Sequence, residues 1–421
     1  TMAQGVAAGS GSPIFRDMCP DSSPHRPAVR TGLDLVRDGD TSLRPSELGA
    51  VGLVAHPASV ARDLSFSAEA LLEAGVDLRA LFGPQHGIRG EKQDNMVESA
   101  HGIDARTGLP VHSLYSETRT PTPAMLAGLD TLVFDLQDVG VRVYTFVWTM
   151  ALAMEACGRA GVRFVVLDRP NPVGGRVREG PLLRPGFASF VGLHPVPLRH
   201  GLTAGELARW LVAERGIEVE LTVVPCRGWT RSMRWPDTGL PWVLPSPNLP
   251  TPDSCAVYPG MVLLEGTNLS EGRGTTRPFE LVGAPFLDPW ALAERMEAEG
   301  LQGLALRPCW FEPTFQKHAG QRCGGVQLHV TDPRAVRSVR AAVALLAAAR
   351  ALAPEAFAWR EPPYEYEEEL PPIDILWGSD DLRRTVDRGA GPDEVLAEVD
   401  RELEDFGAEV APFLLYGDDS D

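Results

Sequence analysis

The sequence predicts an α/β fold, a Rossmann-like parallel sheet domain with helices on both faces, plus a smaller α+β C-terminal domain. Three observations predict it. Apolar runs of strand length recur at 50–55 (AVGLVA), 78–82, 131–135 (TLVFD) and 162–168 (VRFVVLD), alternating with helical segments, as βαβ units around a parallel sheet do. Runs such as FVVL lack polar alternation, as expected of strands covered on both faces. Strand after strand empties at its C-terminal end into Asp, Arg, His, Gln or Asn, and that edge is where open α/β sheets bind ligands.

The 421 residues suggest two or three domains. Residues 1–30 carry prolines and charges without a continuous apolar core, so they read as a disordered arm and not as a signal peptide. Residues 31–258 hold the βαβ alternation. Residues 259–421 form the smaller domain, where that alternation gives way to an α+β pattern.

In order along the chain, His56-Pro57 end the first strand, and Ser67 caps the helix AEALLEA, closed by Gly75. The run Leu78 to Phe82 stops at Gly83-Pro84. A polar loop follows with Gln85, His86, Arg89, Glu91, Lys92, Gln93, Asp94 and Asn95, hinged by Gly87 and Gly90. TLVFD ends in Asp135, Gln137, Asp138, Arg142 and Tyr144. The next helix, FVWTMALAMEACGRA, is apolar nearly all round and so belongs in the interior. VRFVVLD ends in Asp168-Arg169-Pro170-Asn171-Pro172. Thr203 and Glu206 form a capping box ahead of LARWLVAE, which gives Glu206 a structural task. LTVVP (221–225) adds a strand.

Residues 228–252 are a Trp- and Pro-rich loop with Trp229, Trp235, Trp242, Ser246 and Asn248. It reads equally as an exposed platform for a sugar ring or as a loop packed down by its own aromatics. The stretch 263–280 (LLEGTNLSEGRGTTRPFE) concentrates Glu265, Asn268, Ser270, Glu271, Arg273, Thr275, Thr276, Arg277 and Glu280 around three glycines. So many polar side chains on small hinges suit a polyhydroxylated or carboxylated ligand. At the junction of the domains they would sit where pockets commonly form. A helix opens at Asp288-Pro289 and ends near Gly300, GGVQLHV (324–330) is a strand, and a long alanine-rich helix runs from Asp332-Pro333 to about Leu352. Residues 361–372 read as a Pro/Glu linker, followed by helices at 380–388, capped by Ser379, and 392–405.

Composition excludes several classes. No apolar run approaches 18 residues, so no membrane span is expected. The net charge of −18 comes almost entirely from residues 361–421, with 20 acidic and 4 basic residues, so nucleic acid is disfavoured as a partner. Six scattered cysteines contain no CxxC pair, which argues for buried thiols in a reducing, cytoplasmic compartment. Export with an already removed signal stays as the alternative. No GxSxG, HExxH, GxGxxG or Walker A sequence occurs, so neither a serine triad, a metal nor a nucleotide cofactor is expected. The sequence leaves oligomeric state open.

The chemistry left is that of carboxylates. Glu91, Asp94, Glu98, Asp135, Asp138, Asp168, Glu265 and Glu271 lie in or near the candidate loops, and glycoside hydrolysis uses two carboxyls flanking the scissile bond.

Six stretches, FGPQHGIRGE, TGLPVHSLY, DLQDVGVRVYT, LDRPNPVGG, SPNLPT and LLEGTNLSEGRGTTRPFE, occur in that order. Together they resemble the family once known only as DUF1343, which includes exo-β-N-acetylmuramidases of the NamZ type. The resemblance runs from about Thr31 into the C-terminal region. It implies a Rossmann-like domain, a smaller C-terminal domain with a cleft between them, and release of N-acetylmuramic acid or a related amino sugar from non-reducing ends of peptidoglycan fragments.

There is one departure. The family motif is commonly Pro-Glu-His-Gly, with the glutamate as its proposed catalytic residue, and this chain carries Gln85 there. Either another acid acts, Glu91 first, or the substrate is a related glycoside, or the chain binds amino sugars without turnover. On this reading Gln85, His86, Glu91 and Asp94 serve proton transfer or its orientation. Arg89, Arg142, Arg273 and Arg277 are the candidates to grip a lactyl carboxylate, and Asn171, Asn248, Asn268 and Ser270 to hold sugar hydroxyls. Asn95, Asp135, Gln137, Tyr144, Asp168, Arg169, Glu265 and Glu271 complete the expected substrate-binding set.

Overall fold

A computed structural model describes residues 28–90, 92 and 97–418. Most of the expected N-terminal arm, and Glu91, Asp94 and Asn95 of the polar loop, lie outside the described residues.

The central sheet has seven strands: β1 (Ala50–Val54), β2 (Asp77–Gly83), β3 (Gly102–Ile103), β4 (Pro110–Ser113), β5 (Thr131–Phe134), β6 (Arg163–Leu167) and, after a small hairpin of β7 (Glu179–Leu182) and β8 (Pro197–Arg199), β9 (Leu221–Val224). The order across the sheet is β3-β4-β2-β1-β5-β6-β9, parallel except for β3. β1 starts the chain's progress in one direction and β5 starts it in the other, so the switch point lies between them. The loops after β1, β2, β5 and β6 leave the same edge. The two-faced burial read from FVVL is real, since β5 and the last four residues of β6 are fully buried.

A second sheet, β10 (Leu281–Ala284), β11 (Leu304–Phe311) and β12 (Cys323–Val330), is antiparallel in the order β10-β12-β11. The helices Pro252–Met261 and Ser338–Leu352 pack against each other beside it. Gly260 makes that contact possible, because a Cβ there would stand 1.8 Å from the carbonyl oxygen of Ser338. The boundary expected between residues 258 and 259 falls inside the first of these helices.

Several local expectations change. Ser67 begins its helix without capping it, and its hydroxyl is buried without a partner. The helix expected from Asp332-Pro333 starts at Ser338, because Asp332 to Ala335 close a turn instead. The segment 392–405 is two helices, Pro392–Leu396 and Val399–Val410. The Trp-rich loop is packed down by its own aromatics. Trp229 and Trp235 are buried, Trp229 stands edge-on to Tyr416 and Trp235 to Trp242. The capping box of Thr203 and Glu206 is present as expected.

The acidic C-terminal segment folds back onto the sheet. The hydroxyl of Tyr416 donates to Asp168 Oδ2 at 2.5 Å and accepts from the amide of Cys226 at 2.8 Å.

Candidate active site at the C-terminal edge of the sheet

The loop after β2 supplies Gln85 and His86, both more than nine-tenths buried. A turn from Pro84 to Gly87, closed by a 2.9 Å backbone bond, holds His86 at φ +69°. Its Nδ1 lies 2.9 Å from the carbonyl oxygen of Lys92. A carbonyl only accepts, so Nδ1 carries the proton and Nε2 keeps its lone pair, 3.4 Å from Ser246 Oγ. Burial lowers the His86 pKa to about 4, so the ring is neutral at pH 7 with a basic nitrogen facing inward.

Gln85 is oriented by its partners. Thr145 donates to its Oε1 at 2.7 Å, and its Nε2 donates to the Tyr115 hydroxyl at 3.1 Å and to Glu365 Oε1 at 3.2 Å. Tyr115 in turn donates to Glu365 Oε2 at 2.8 Å. Glu365 is buried, and burial raises its pKa to about 7. The hydrogen bond from Tyr115 works against that rise and the charge of Glu265 adds to it.

Glu365 comes from the segment expected to be a Pro/Glu linker. That segment is a tight turn. Tyr364 and Glu367 exchange two 2.9 Å backbone bonds around Glu365 and Tyr366, at φ +46° and +67°. The mirror-image turn normally needs Asn or Gly at both central positions. Phe279 of the same hollow stands at +65°. Each such residue costs of order 1–3 kcal/mol, and such strain gathers where function over-determines the backbone.

A second carboxyl, Glu265, shares the hollow. It pairs with Arg273 at 2.7 Å and accepts from the Tyr364 hydroxyl at 2.7 Å. Arg273 also faces Glu271 at 3.3 Å, and Glu271 meets Lys317 at 2.9 Å. Lys317 is fixed by the carbonyl oxygens of Leu264 and Leu269. This row of buried charges holds the floor under Tyr364 and hence the turn that carries Glu365.

The hollow is lined by Gln85, His86, Tyr144, Thr145, Ser246, Tyr258, Glu265, Arg273, Phe279, Tyr364 and Glu365, with Val143, Val191 and Leu249. About 430 Å³ of space, open solvent included, lies among these residues, of which water-sized spheres reach only about 30 Å³, room for about two waters. Among the described residues no group of three or more His, Cys, Asp or Glu side chains is placed to hold a metal ion.

Of the site residues expected from sequence, the structure brings Gln85, His86, Tyr144, Glu265 and Arg273 to this hollow. Ser270 and Glu271 stand behind it, with Ser270 Oγ accepting from the amide of Gly272. Others are occupied elsewhere. Arg142, fully buried, donates to the carbonyl oxygens of Pro181, Val196, Leu376 and Trp377, so it clamps backbone and has no lone N–H pair to offer a ligand carboxylate. Asp135 and Arg169 form a buried bidentate pair at 2.7 and 2.8 Å. Asp168 accepts from Thr203, Gly205 and Tyr416, and burial raises its pKa to about 6. Gln137 donates to the carbonyl oxygens of Asp138 and Pro170, Asn171 to that of Leu202, and Asn268 to that of Ala356. Asn248 is buried in the loop beside Ser246. Arg89 pairs with Asp104, and Arg277 with Glu280.

Sequence reasoning missed Glu365, Tyr364, Tyr115 and Thr145. The signal at 361–372 was present, since two tyrosines interleaved with acids are unusual for a solvated linker.

Family models describing the exo-β-N-acetylmuramidase NamZ match the chain over residues 51–253 for the N-terminal part and 256–416 for the C-terminal part. The peptidoglycan β-N-acetylmuramidase NamZ of Bacillus subtilis (strain 168) is 43% identical over 413 residues, covering 98% of this chain and 96% of its own length. Two crystal structures of DUF1343 family proteins from Bacteroides fragilis NCTC 9343 superpose on 93% of this chain. One is 32% identical with a TM-score of 0.83 and is itself covered to 100%; the other is 29% identical with a TM-score of 0.72 and is covered to 99%.

Proposed function

Since the chain belongs to the NamZ family of exo-β-N-acetylmuramidases, we propose that it is an exo-acting glycosidase. It releases N-acetylmuramic acid from non-reducing ends of peptidoglycan fragments, with Glu365 as proton donor and His86 as base. The observation that carries the assignment is Glu365 itself. It is a buried carboxyl with its pKa near 7, hydrogen-bonded to the amide that stands where the family usually carries glutamate. A general acid for a glycosidic oxygen must hold its proton at working pH. An amide cannot supply one, so the role passes from position 85 to its neighbour across the hydrogen bond.

The hollow as it stands is too small for a whole pyranose. The sugar seats across the mouth, with the scissile oxygen toward Glu365 and a water in the floor beside His86 Nε2. The five buried free thiols among the described residues support a reducing compartment.

The pH dependence follows from the two groups. Turnover needs His86 neutral, so kcat/KM rises as pH passes about 4. It needs Glu365 protonated, so kcat/KM falls as pH passes about 7. Steady-state hydrolysis of a chromogenic β-N-acetylmuramide between pH 3 and pH 9 checks it. The expected profile is a bell with those limbs, and His86→Asn should remove the acid limb along with most of the rate. Gln85→Glu puts a second carboxyl against Glu365 and should move the alkaline limb upward, because two neighbouring carboxyls resist ionising together. A rate that climbs steadily to pH 9, or binding of the muramide without release, would overturn the assignment.

A further inference from the structure

Every arginine that sequence reasoning nominated for the substrate carboxylate and that lies in or near the hollow already holds a carboxylate or backbone carbonyls, although one N–H each of Arg142 and Arg273 is left over. Among the described residues Arg119 holds neither. Its guanidinium carbon lies 3.4 Å from the centroid of the Tyr366 ring and 5.7 Å from that of Tyr115. Its Nε and Nη2 are buried without a hydrogen-bond partner, and no carboxylate among the described residues forms a salt bridge with it. Unpartnered buried donors on a full charge are costly, and each asks for a partner such as a water, an ion or a ligand.

The position is specific. Tyr366 is about half exposed, at 48%, so the stack stands at the rim. Tyr366 occupies the strained turn beside Glu365. Tyr115 lies against the Tyr366 ring edge-on at 5.9 Å and carries its hydroxyl to Glu365. One tyrosine thus joins the proton donor to the unpaired guanidinium. Stacking fixes the plane of Arg119 and so the direction of the Nε and Nη2 edge, covered in this structure, that a carboxylate would meet once it is uncovered.

We infer that Arg119, held on Tyr366 and Tyr115, binds the carboxylate of the 3-O-lactyl group and so selects N-acetylmuramic acid over N-acetylglucosamine. The inference rests on the glycosidase reading of the same site. N-acetylglucosamine has a neutral hydroxyl where muramic acid carries the acidic ether, so one guanidinium separates the two sugars by charge. Tyr366 is then a positioning residue, because it acts through Arg119.

Calorimetric titration of the full chain with N-acetylmuramic acid and with N-acetylglucosamine tests it, for wild type, Arg119→Met and Tyr366→Leu. Wild type should prefer the acid. Arg119→Met should weaken the acid by about 10- to 100-fold, the range for a charge-assisted pair, and leave N-acetylglucosamine unchanged. Tyr366→Leu should show a smaller loss with the same selectivity. Equal weakening of both sugars by Arg119→Met would mean a structural role and overturns the inference, as does an unaltered preference for the acid. Turnover of the chromogenic muramide is measured in parallel. Its absence in wild type would count against the glycosidase reading alone, since the binding preference stands or falls without it.

Discussion

Glu365→Gln is expected to lower kcat/KM for a β-N-acetylmuramide by about a hundred- to ten-thousand-fold, the span of general-acid contributions, while making the folded protein more stable above pH 7. The amide keeps a place beside Gln85 and Tyr115 but has no proton to give. The stability gain follows from the sign of the pKa shift. Glu365 rises from 4.5 to about 7 on folding, so its protonated form is favoured in the native state. That contribution is complete below about pH 4.5 and is lost as pH climbs through 7. At pH 8 the wild-type fold must bury an ionised carboxylate, at a cost on the order of 3 kcal/mol. Glutamine escapes it at every pH. Melting curves of the two proteins at pH 4.5 and pH 8 should nearly coincide at the lower value and separate by several degrees at the higher. A variant that keeps wild-type turnover, or that melts earlier at pH 8, contradicts the role given to this carboxyl.

The second large effect concerns Arg142, and it is one of folding. The guanidinium donates to four backbone carbonyls at 2.6 to 3.0 Å, two in or beside the β7–β8 hairpin and two at the end of the helix Pro372–Trp377. It has no counter-ion among the described residues, and burial lowers its pKa to about 9, which still leaves it charged at neutral pH. Arg142→Met removes the donors and strands the carbonyls in the interior, each at about 1–3 kcal/mol. A loss of at least about 4 kcal/mol is expected in urea unfolding, and Arg142→Lys should restore only part of it, since an ammonium has three donors on a flexible stem. Where the Met variant is still folded, its pH profile should keep the limbs of wild type. A loss below about 1 kcal/mol, or an altered alkaline limb, would show that Arg142 acts in the site after all.

These two residues also mark what could be read from sequence. The parallel sheet was legible because FVVL and TLVF are buried on both faces and only that architecture buries them so. The edge of the sheet that carries the hollow was legible because Gln85 and His86 follow a strand directly. Arg142 looked like a ligand contact because sequence does not distinguish an arginine facing a solvent-filled hollow from one facing carbonyls across the interior. Glu365 was hidden by a composition that mimics a linker. It reaches Gln85 from 280 positions away, a distance no local pattern encodes. Arg119 was invisible for a further reason, since its significance lies in the partners it lacks. The short strands β4, β7 and β8 carry too little alternation to separate from turns.

One apolar core runs without a break from Val54 in the central sheet, through the helix Phe146–Ala160 and the helix pair Pro252–Met261 and Ser338–Leu352, to Val410 near the C-terminus. Heat should therefore melt the described molecule in one step, with calorimetric and van't Hoff enthalpies in agreement. A protease should find no seam at which to release a folded half.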